Sequence, residues 1–226
     1  MIFNGIRSDE LGLVIQQMPS SPRAKEKISS IHIPGRSGTL HEFENAFENY
    51  TLSLECLVTD LEQIDKIAAL FRGAGEVIFS DDLTKKYKVV VVNQIDMVYA
   101  ATKFKSFLLQ LDTHPFKFSA SPLDDEIIAT SAVIFHNKGT FESEPIIEVF
   151  GLGTVTLVVN DRSYRIKNIS GSVTINSEMM EVYKDDRNKN NDFEAEEFPT
   201  FNTGENTIRW SGNVSKVVIQ PNWRWL

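Results

Sequence analysis

The sequence predicts a mainly β protein of two domains with one α-helix, and three observations support this prediction. Apolar and polar residues alternate with period two in many short runs, which is the pattern of half-buried strands. Apolar residues recur at helical spacing over one convincing segment only, between residues 59 and 73. The pattern changes at residues 113–125, where Pro115, Pro122 and an acidic cluster interrupt the strand signals. We place a domain boundary there, with domains at residues 1–118 and 119–226.

The first domain opens with strand signals. Met1–Ile6 is short and apolar, Leu11–Gln16 alternates, and Lys25–Pro34 alternates imperfectly through its isoleucines. The segment Pro34–Thr39 has loop chemistry, because proline fixes φ and its two glycines permit positive φ. Tyr50–Val58 then alternates cleanly and predicts a strand with one buried face.

The segment after Tyr50–Val58 predicts the helix. Thr59 and Glu62 have the spacing of a capping box, and Gly73 stands where a C-terminal cap glycine is expected. The apolar residues between them form one stripe that should pack against a sheet: Leu61, Ile64, Ile67, Ala68 and Phe71.

Two further strands, Tyr87–Asn93 and Phe104–Asp112, are predicted to form a long hairpin. The run Val89–Val92 has no polar face, so we expect this strand to be covered on both sides. In an assembly, one of the two covers would be a neighbouring subunit.

The second domain has strand signals at roughly ten-residue spacing and turn residues between them, which favours an antiparallel sandwich. The predicted turns lie at Asn137–Gly139, Gly151–Gly153, Asn160-Asp161 and Ser170-Gly171. The predicted strands are Ile127–Phe135, Ile146–Phe150, Val155–Asn160, Tyr164–Ile169, Val173–Asn176, Met180–Tyr183, Thr207–Trp210 and Lys216–Gln220.

Composition restricts the possible functions. The formal net charge of −8 argues against a nucleic-acid-binding surface, because phosphate contacts need clustered lysine and arginine. No apolar run is long enough to span a membrane, and the N-terminus lacks the basic and then apolar pattern of a signal peptide. The single cysteine, Cys56, lies in an alternating run and is interpreted as a buried hydrophobe rather than a catalytic thiol.

Enzyme motifs are missing from the sequence, so we predict a protein without catalysis, catalytic residues or cofactor. Ser37 lacks the spacing of a hydrolase elbow, and the four histidines show no paired metal spacing. Gly151-Leu152-Gly153 lacks the third glycine of a phosphate-binding turn. The sequence leaves open whether two carboxylates lie close together in the fold, as they do in a glycosidase.

The acidic loop Lys184–Pro199 contains one metal-like pattern, and two interpretations of it stay open. The spacing is similar to that of an EF-hand calcium loop, although the flanks predict a strand and a proline stop rather than two helices. The other interpretation is a solvated hairpin loop. The calcium candidates are Asp186, Asn188, Asn190, Glu194 and Glu197.

Short motifs along nearly the whole chain resemble, in their order and spacing, those of the distal tail protein (Dit) family of long-tailed, non-contractile bacteriophages and related prophages. The motifs in the first domain are Phe3-Asn4-Gly5, Leu11-Gly12-Leu13, Ile33–Gly38, Tyr50–Phe71, Gly75–Asp81 and Leu109–Phe116. Those in the second are Asn137–Thr140, Glu144-Pro145, Ile175–Tyr183, Phe198-Pro199, Gly204–Ile208 and Pro221–Trp225.

This resemblance implies a split-barrel-like first domain and a galectin-like antiparallel β-sandwich as the second. It also implies a homohexameric ring at the tip of the phage tail, made in the bacterial cytoplasm and carried on the virion. The implied partners are the tail tube protein, a tail-tip or baseplate hub protein and a receptor-binding protein. DNA would pass through such a ring without being specifically bound, because the chain is acidic. A galectin-like fold does not by itself transfer sugar binding.

A ring of identical subunits needs a heterologous contact, in which one patch meets a different patch on the next copy. Exposed strand edges can form such a contact, because their unpaired backbone groups can pair with a strand of another chain. We therefore expect the loop Ile33–Thr39 and the two strands of the predicted hairpin to form it; an ordinary surface turn and plain intradomain core are the alternatives. The interface candidates are Pro34, Gly35, Arg36, Val89, Val91, Phe107 and Leu109.

The tryptophans lead to an alternative function. Trp210, Trp223 and Trp225 all lie near the C-terminus, and Trp223 alternates with Trp225 as a stacking face for a sugar would. The alternatives are core packing and an outward contact with a receptor-binding protein. The competing functions are thus a structural hub, a module that binds host cell-wall saccharides, and a cell-wall hydrolase, for which the sequence offers no support.

Overall fold

The computed structural model describes residues 1–20, 22–101 and 103–226, which form two units. The first unit comprises Met1–Ala120 together with Leu226, and the second comprises Ser121–Trp225. Both units are built from β-strands, with one α-helix, α1, at Ile64–Leu70 in the first. No helix of the described residues is long and apolar enough to cross a bilayer. The prediction of a mainly β chain with one helix is confirmed.

Unit 1 holds one curled sheet and a separate two-stranded hairpin. Its strands are β1 (Ile2–Phe3), β2 (Ile6–Arg7), β3 (Leu13–Ile15), β4 (Glu26–Ile31), β5 (Leu40–Phe47), β6 (Tyr50–Val58), β7 (Ala74–Ile78), β8 (Lys85–Val91), β9 (Val98–Ala101) and β10 (Phe104–Ser119). The sheet runs in the order β2-β1-β7-β8-β10-β6-β3, and β9 pairs with β10. Among the described strands, β4 and β5 pair only with each other.

Period-two alternation explains the core of unit 1. On β6, Leu54 and Cys56 point inward while Ser53 and Glu55 face solvent. Leu109 on β10 lies directly opposite Leu54 in the antiparallel register, so the inward rows of the two strands form one apolar layer. The helix covers this layer through a group of side chains that includes Ile67 and Phe71.

The helix is shorter than predicted and begins differently. The Thr59 hydroxyl donates to the carbonyl oxygen of Gly12 instead of capping the helix. Asp60 takes that role, and its carboxylate accepts from the Glu62 N–H at 3.0 Å at the start of a 3₁₀ turn that precedes α1. Ala68 is exposed, so it does not belong to the buried stripe.

The predicted strand Met1–Ile6 is in fact a tight hairpin of β1 and β2. Asn4 and Gly5 both have positive φ, 49° and 82°, which is the geometry of a two-residue type I′ turn. The Asn4 side chain also accepts from the Glu76 N–H at 2.8 Å and thereby ties this turn to β7.

The interruption predicted at Pro115 does not end the strand. Strand β10 continues through it to Ser119, because the ladder with β8 absorbs the irregularity as a bulge between Thr113 and Lys117. Pro115 therefore lies inside a strand next to that bulge.

Unit 2 is an antiparallel sheet in the order β11-β18-β13-β14-β15-β16, with β12 on β18 and β17 on β14. Its strands are β11 (Ile127–Ala129), β12 (Val133–Asn137), β13 (Ile146–Val159), β14 (Arg162–Asn176), β15 (Glu181–Lys184), β16 (Arg187–Asn188), β17 (Phe193–Glu194), β18 (Gly204–Gln220) and β19 (Arg224–Trp225).

Three long strands, β13, β14 and β18, replace six of the short strands predicted from sequence. Gly151, Gly153 and Gly171, which the sequence assigned to turns, lie inside these strands, and the ladders shift register next to Gly151 and Gly153. Gly151 brings β13 so close to β18 that an added Cβ would overlap the Asn213 carbonyl oxygen. Buried residues at both ends of each long strand join one apolar cluster, so the sheet bends over a shared core.

The predicted turn at Asn160-Asp161 is present. Asn160 has φ 52° and connects β13 to β14 with two residues. The segment predicted as the loop Lys184–Pro199 is not wholly irregular, because it contains β16, a 3₁₀ turn at Asn190–Asp192 and β17.

Candidate functional site

The β4–β5 hairpin, residues 26–47, projects from unit 1, and we call it the arm. Every residue from Ser30 to Asn45 is exposed. The chain reverses in the predicted Pro34–Thr39 loop, where Gly35 and Gly38 have φ of 82° and 86°. A bulge with Asn45 at φ 52° bends β5 near the base. The loop candidates Pro34, Gly35 and Arg36 thus form the exposed end of the arm.

Each face of the arm carries an apolar cross-strand pair. Ile28 lies opposite Phe43 on one face, and they are 43% and 57% exposed. Ile31 lies opposite Leu40 on the other face, and both are exposed. A two-stranded hairpin is marginally stable by itself, so an arm with bare apolar pairs on both faces is typical of a segment that packs on a partner.

The base of the arm is fixed to the body of unit 1. The Phe47 ring meets the Phe116 ring edge-on at 5.4 Å between centroids. The Asn49 side-chain amide donates to the Asp112 carboxylate at 2.8 Å, which ties the segment after the arm to β10. The Glu48 N–H donates to the Lys25 carbonyl oxygen at 2.8 Å and closes the hairpin.

Four of the predicted interface residues need correction. Val89, Phe107 and Leu109 are buried in the core of unit 1, and Val91 is half-buried against it. Strands β8 and β10 are also central strands with neighbours on both sides, rather than edges. The reason is the strand period: these residues and Leu111 form the inward rows, so they are not available to another subunit.

The residues that alternate with these buried ones along the chain from β8 and on β10 are exposed. We call the side of the unit 1 sheet away from α1 the outer face. Val90 and Val92 are 43% and 55% exposed on it, and Leu108 on β10 is similarly exposed. Within the described part of the chain the Val89–Val92 run is covered on one side, and the second cover that the sequence predicts stays a prediction.

A second exposed apolar surface lies at β9. We define the β9 patch as Val98, Tyr99, Lys103, Phe104 and Lys105. Val98 and Tyr99 are 54% and 69% exposed, and the Lys105 ammonium lies 4.8 Å from the centroid of the Tyr99 ring. Strand β9 pairs with β10 alone among the described strands, so its other edge is unpaired there.

The register places the arm and the β9 patch at opposite ends of the same sheet. Strand β6 begins at Tyr50, directly after the arm, where it pairs with Thr113 of β10. It ends at Val58, which pairs with Lys105 in the β9 patch. Nine strand residues extend about 25–30 Å, which therefore separates the two surfaces.

The calcium candidates do not form a metal centre in the structure. Asn188 accepts from the Asn190 N–H, and the Asn190 side chain accepts from the Val182 N–H. Glu197 pairs with Arg162, and Asp186 lies exposed in the turn between β15 and β16. Among the described residues, no three His, Cys, Asp or Glu side chains are placed to hold a metal ion.

Glu194, the remaining calcium candidate, is also engaged elsewhere. It pairs with Lys167 and lies 3.6 Å from Arg165. The hydrogen bond from Lys167, together with the positive charges of both bases, lowers the pKa of the Glu194 carboxyl. This carboxylate therefore already has cationic partners from β14.

The sugar-stacking pair predicted at the C-terminus does not form. Trp223 is 2% exposed and packs against Phe135 and Phe201, so its face is not available to a saccharide. A surface depression of about 590 Å³ lies elsewhere in unit 2 and is lined by polar and charged groups, including the Arg162–Glu197 pair. Its one aromatic lining residue, Tyr164, is buried and stacks on Phe193.

Cys56 has no reactive character. It is completely buried, and burial raises the pKa of its thiol to about 12. The interpretation as a small core hydrophobe agrees with this environment.

Sequence reasoning missed β5 and the β9 patch. No strand was predicted over Leu40–Phe47, where Glu42 and Glu44 lie exposed. Because most residues of β5 are exposed on both faces, this strand shows no regular polar and apolar alternation that would reveal it. The two apolar cross-strand pairs, Ile28–Phe43 and Ile31–Leu40, can be recognised only when the register of β4 and β5 is known.

Comparison with known proteins supports the fold. No protein-family model matches the chain, and no curated protein matches it in sequence. A solved structure does match: the Dit protein (gp 19.1) of phage SPP1, with 11% sequence identity and a TM-score of 0.75. The match covers 100% of this chain and 98% of that one. That protein is described as a paradigm of the hub adsorption apparatus in phages that infect Gram-positive bacteria. This chain thus has the same overall fold as the SPP1 Dit protein.

Proposed function

We propose that this protein is a structural hub of a bacteriophage tail tip. In this role it forms a hexameric ring that joins the tail tube to tail-tip or baseplate proteins and to receptor-binding proteins. The observation that carries the proposal is the full-length agreement in fold with the SPP1 hub protein. The match covers both units. It therefore cannot be explained by one common type of β domain that occurs by chance in two unrelated proteins.

The surfaces of unit 1 support a role in assembly. The arm, the outer face and the β9 patch expose large apolar side chains, which a monomeric soluble protein seldom leaves uncovered together. Two different surfaces on one chain fit a heterologous contact, and such a contact forms a ring when the rotation between neighbouring copies closes.

The acidic character of the chain agrees with a ring through which phage DNA passes. A ring built from copies with net charge −8 offers DNA no strong phosphate-binding wall, so DNA would pass through without being held. The protein would be made in the bacterial cytoplasm and reside at the tail tip of the virion.

Light scattering behind size-exclusion chromatography tests the ring, and negative-stain images of the same sample test its symmetry. We expect a species of six chains with a central channel. A protein that stays monomeric at every concentration, and after tail partners are added, would reject the proposal. Labelling of virions with an antibody against this chain tests the location and should mark the tail tip.

The saccharide-binding alternative has lost the stacking face that motivated it, because Trp223 is in the core. A glycan array and binding to purified host cell walls separate the two functions. Saturable wall binding by the isolated protein would favour the alternative over a purely structural hub.

A further inference from the structure

We propose that the arm of one copy docks on the β9 patch of the next copy. The inference rests on the proposed function, because it assumes that this chain assembles with copies of itself. It goes further by naming the two surfaces that meet and the side chains that hold them.

Both surfaces are incomplete within one chain. The arm exposes Phe43 and Ile28 on one face, and the β9 patch exposes Val98 and Tyr99. Strand β5 pairs only with β4, and β9 pairs only with β10 among the described strands, so each retains an unpaired edge. Exposed apolar edges of this kind favour pairing with another chain.

Their charges are complementary. Strand β5 carries Glu42 and Glu44 and no lysine or arginine. Residues 98–106 carry Lys103 and Lys105 and no acidic residue. The Lys105 ammonium already lies over the Tyr99 ring, so the cation and the apolar surface are presented together. Glu42 and Glu44 alternate with Phe43, so the carboxylates lie on the opposite face of the arm from the Ile28–Phe43 pair. Tyr99 shares its face with Lys105, and Val98 lies on the other face. Pairing along the edges of β5 and β9 brings both faces of the two strands together, and the opposite charges favour it over contact between two arms or between two β9 patches.

Their positions make the contact intermolecular. The two surfaces lie at opposite ends of β6, separated by about 25–30 Å of strand. The base of the arm is held in place by Phe47 against Phe116 and by Asn49 on Asp112. A contact between the arm of one copy and the β9 patch of the next is therefore heterologous, which is the type that a closed ring requires.

Engineered cysteines test the contact directly. Phe43→Cys and Tyr99→Cys are introduced together, and the native Cys56 stays silent because it is buried with a raised pKa. A short bismaleimide is expected to give a ladder of covalent multimers on a denaturing gel. The matched control combines Phe43→Cys with Leu123→Cys, which is 72% exposed on unit 2, and should give no ladder.

The outcomes separate this inference from the proposed function. Multimers seen by light scattering without a ladder from the Phe43→Cys/Tyr99→Cys variant would overturn the docking contact and leave the hub intact. Efficient cross-linking of the Phe43→Cys variant alone would show that arms meet arms, and would also overturn it. A chain that is monomeric throughout would reject both proposals.

Charge reversal gives an independent measurement. The variant Glu42→Lys/Glu44→Lys and the variant Lys103→Glu/Lys105→Glu should each weaken association about tenfold, since two exposed ion pairs become repulsive. A mixture of the two reversed variants, or one chain carrying all four changes, should regain association. Equal loss in the four-fold variant would contradict the pairing.

Discussion

Ile28 lies directly opposite Phe43 across the two strands of the arm, and neither side chain enters the core of unit 1. A cross-strand pair of this kind contributes about 0.2–1 kcal/mol to its hairpin. The pair has little effect on the stability of the whole unit, so its apolar surface is free to act in assembly.

Replacing this pair should separate assembly from folding. For Ile28→Ser/Phe43→Ser we expect the free energy of unfolding to change by no more than about 0.5–1 kcal/mol, because both side chains are exposed. Association measured by light scattering should fall strongly. A large loss of stability in urea would show instead that the arm packs on its own chain.

Neighbouring leucines on β10 test which face is internal. Leu109→Ala removes a completely buried side chain and should lower the free energy of unfolding by about 2–5 kcal/mol. Leu108→Ala, one residue away on the outer face, should cost about 0.5 kcal/mol or less. Urea denaturation of the two variants measures both values, and equal costs would contradict the alternation.

Two glycines on β13 should differ when changed to alanine. Gly151→Ala places a Cβ against the Asn213 carbonyl oxygen, so β13 and β18 must move apart. We expect a loss of about 2–3 kcal/mol or more. Gly153→Ala meets nothing within 4 Å and costs only the strain of φ +80°, about 1–2 kcal/mol. Thermal unfolding of both variants checks the order.

The thiol of Cys56 should report on folding. Because it is buried and its pKa is raised to about 12, we expect no reaction with a disulfide reagent at pH 8 in the native protein. One thiol per chain should react after unfolding in urea. Rapid reaction of the folded protein would show that the core of unit 1 opens frequently.

The Asp82 carboxylate should make a small contribution to acid stability. Its hydrogen bonds from Lys85 and Thr84 lower its pKa to about 2 in the folded state. A lowered pKa means that this stabilisation is present above the unfolded value near 4 and is lost as pH falls towards 2. The group is more than a third exposed, so solvent screening keeps the effect below about 1 kcal/mol.

Two variants check this assignment. Asp82→Asn should remove this part of the pH dependence, measured as the free energy of unfolding between pH 5 and pH 2. Lys85→Met serves as the matched control and should raise the pKa of Asp82 towards its ordinary value in an NMR titration. An unchanged Asp82 titration in that variant would contradict the role of Lys85.

The sequence was sufficient for the strand-rich fold and for the inward face of β6 in the core of unit 1. Alternation from Tyr50 to Val58 identified the inward row correctly, since those side chains have one buried and one solvated face. The same rule cannot identify the outer face of Val89–Val92, because an all-valine run has no polar residue to mark it. Only the register with β10 distinguishes Val89 from Val90.

The glycines of unit 2 were harder to interpret. Gly151 and Gly171 look like turn residues in the sequence, yet both lie inside long strands, paired with each other in the ladder. A glycine that permits a close approach between strands and a glycine that permits a turn look identical without the neighbouring chain. Strand β5 was missed for a related reason, because a strand exposed on both faces has no apolar periodicity.

The length of β13, β14 and β18 has a mechanical consequence. Each strand carries buried residues near both ends, and all of them join one core. Because the two ends of each strand pack into the same core, separating one end of the bent sheet also removes packing from the other. Unit 2 is therefore expected to yield to a pulling force in a single step rather than layer by layer.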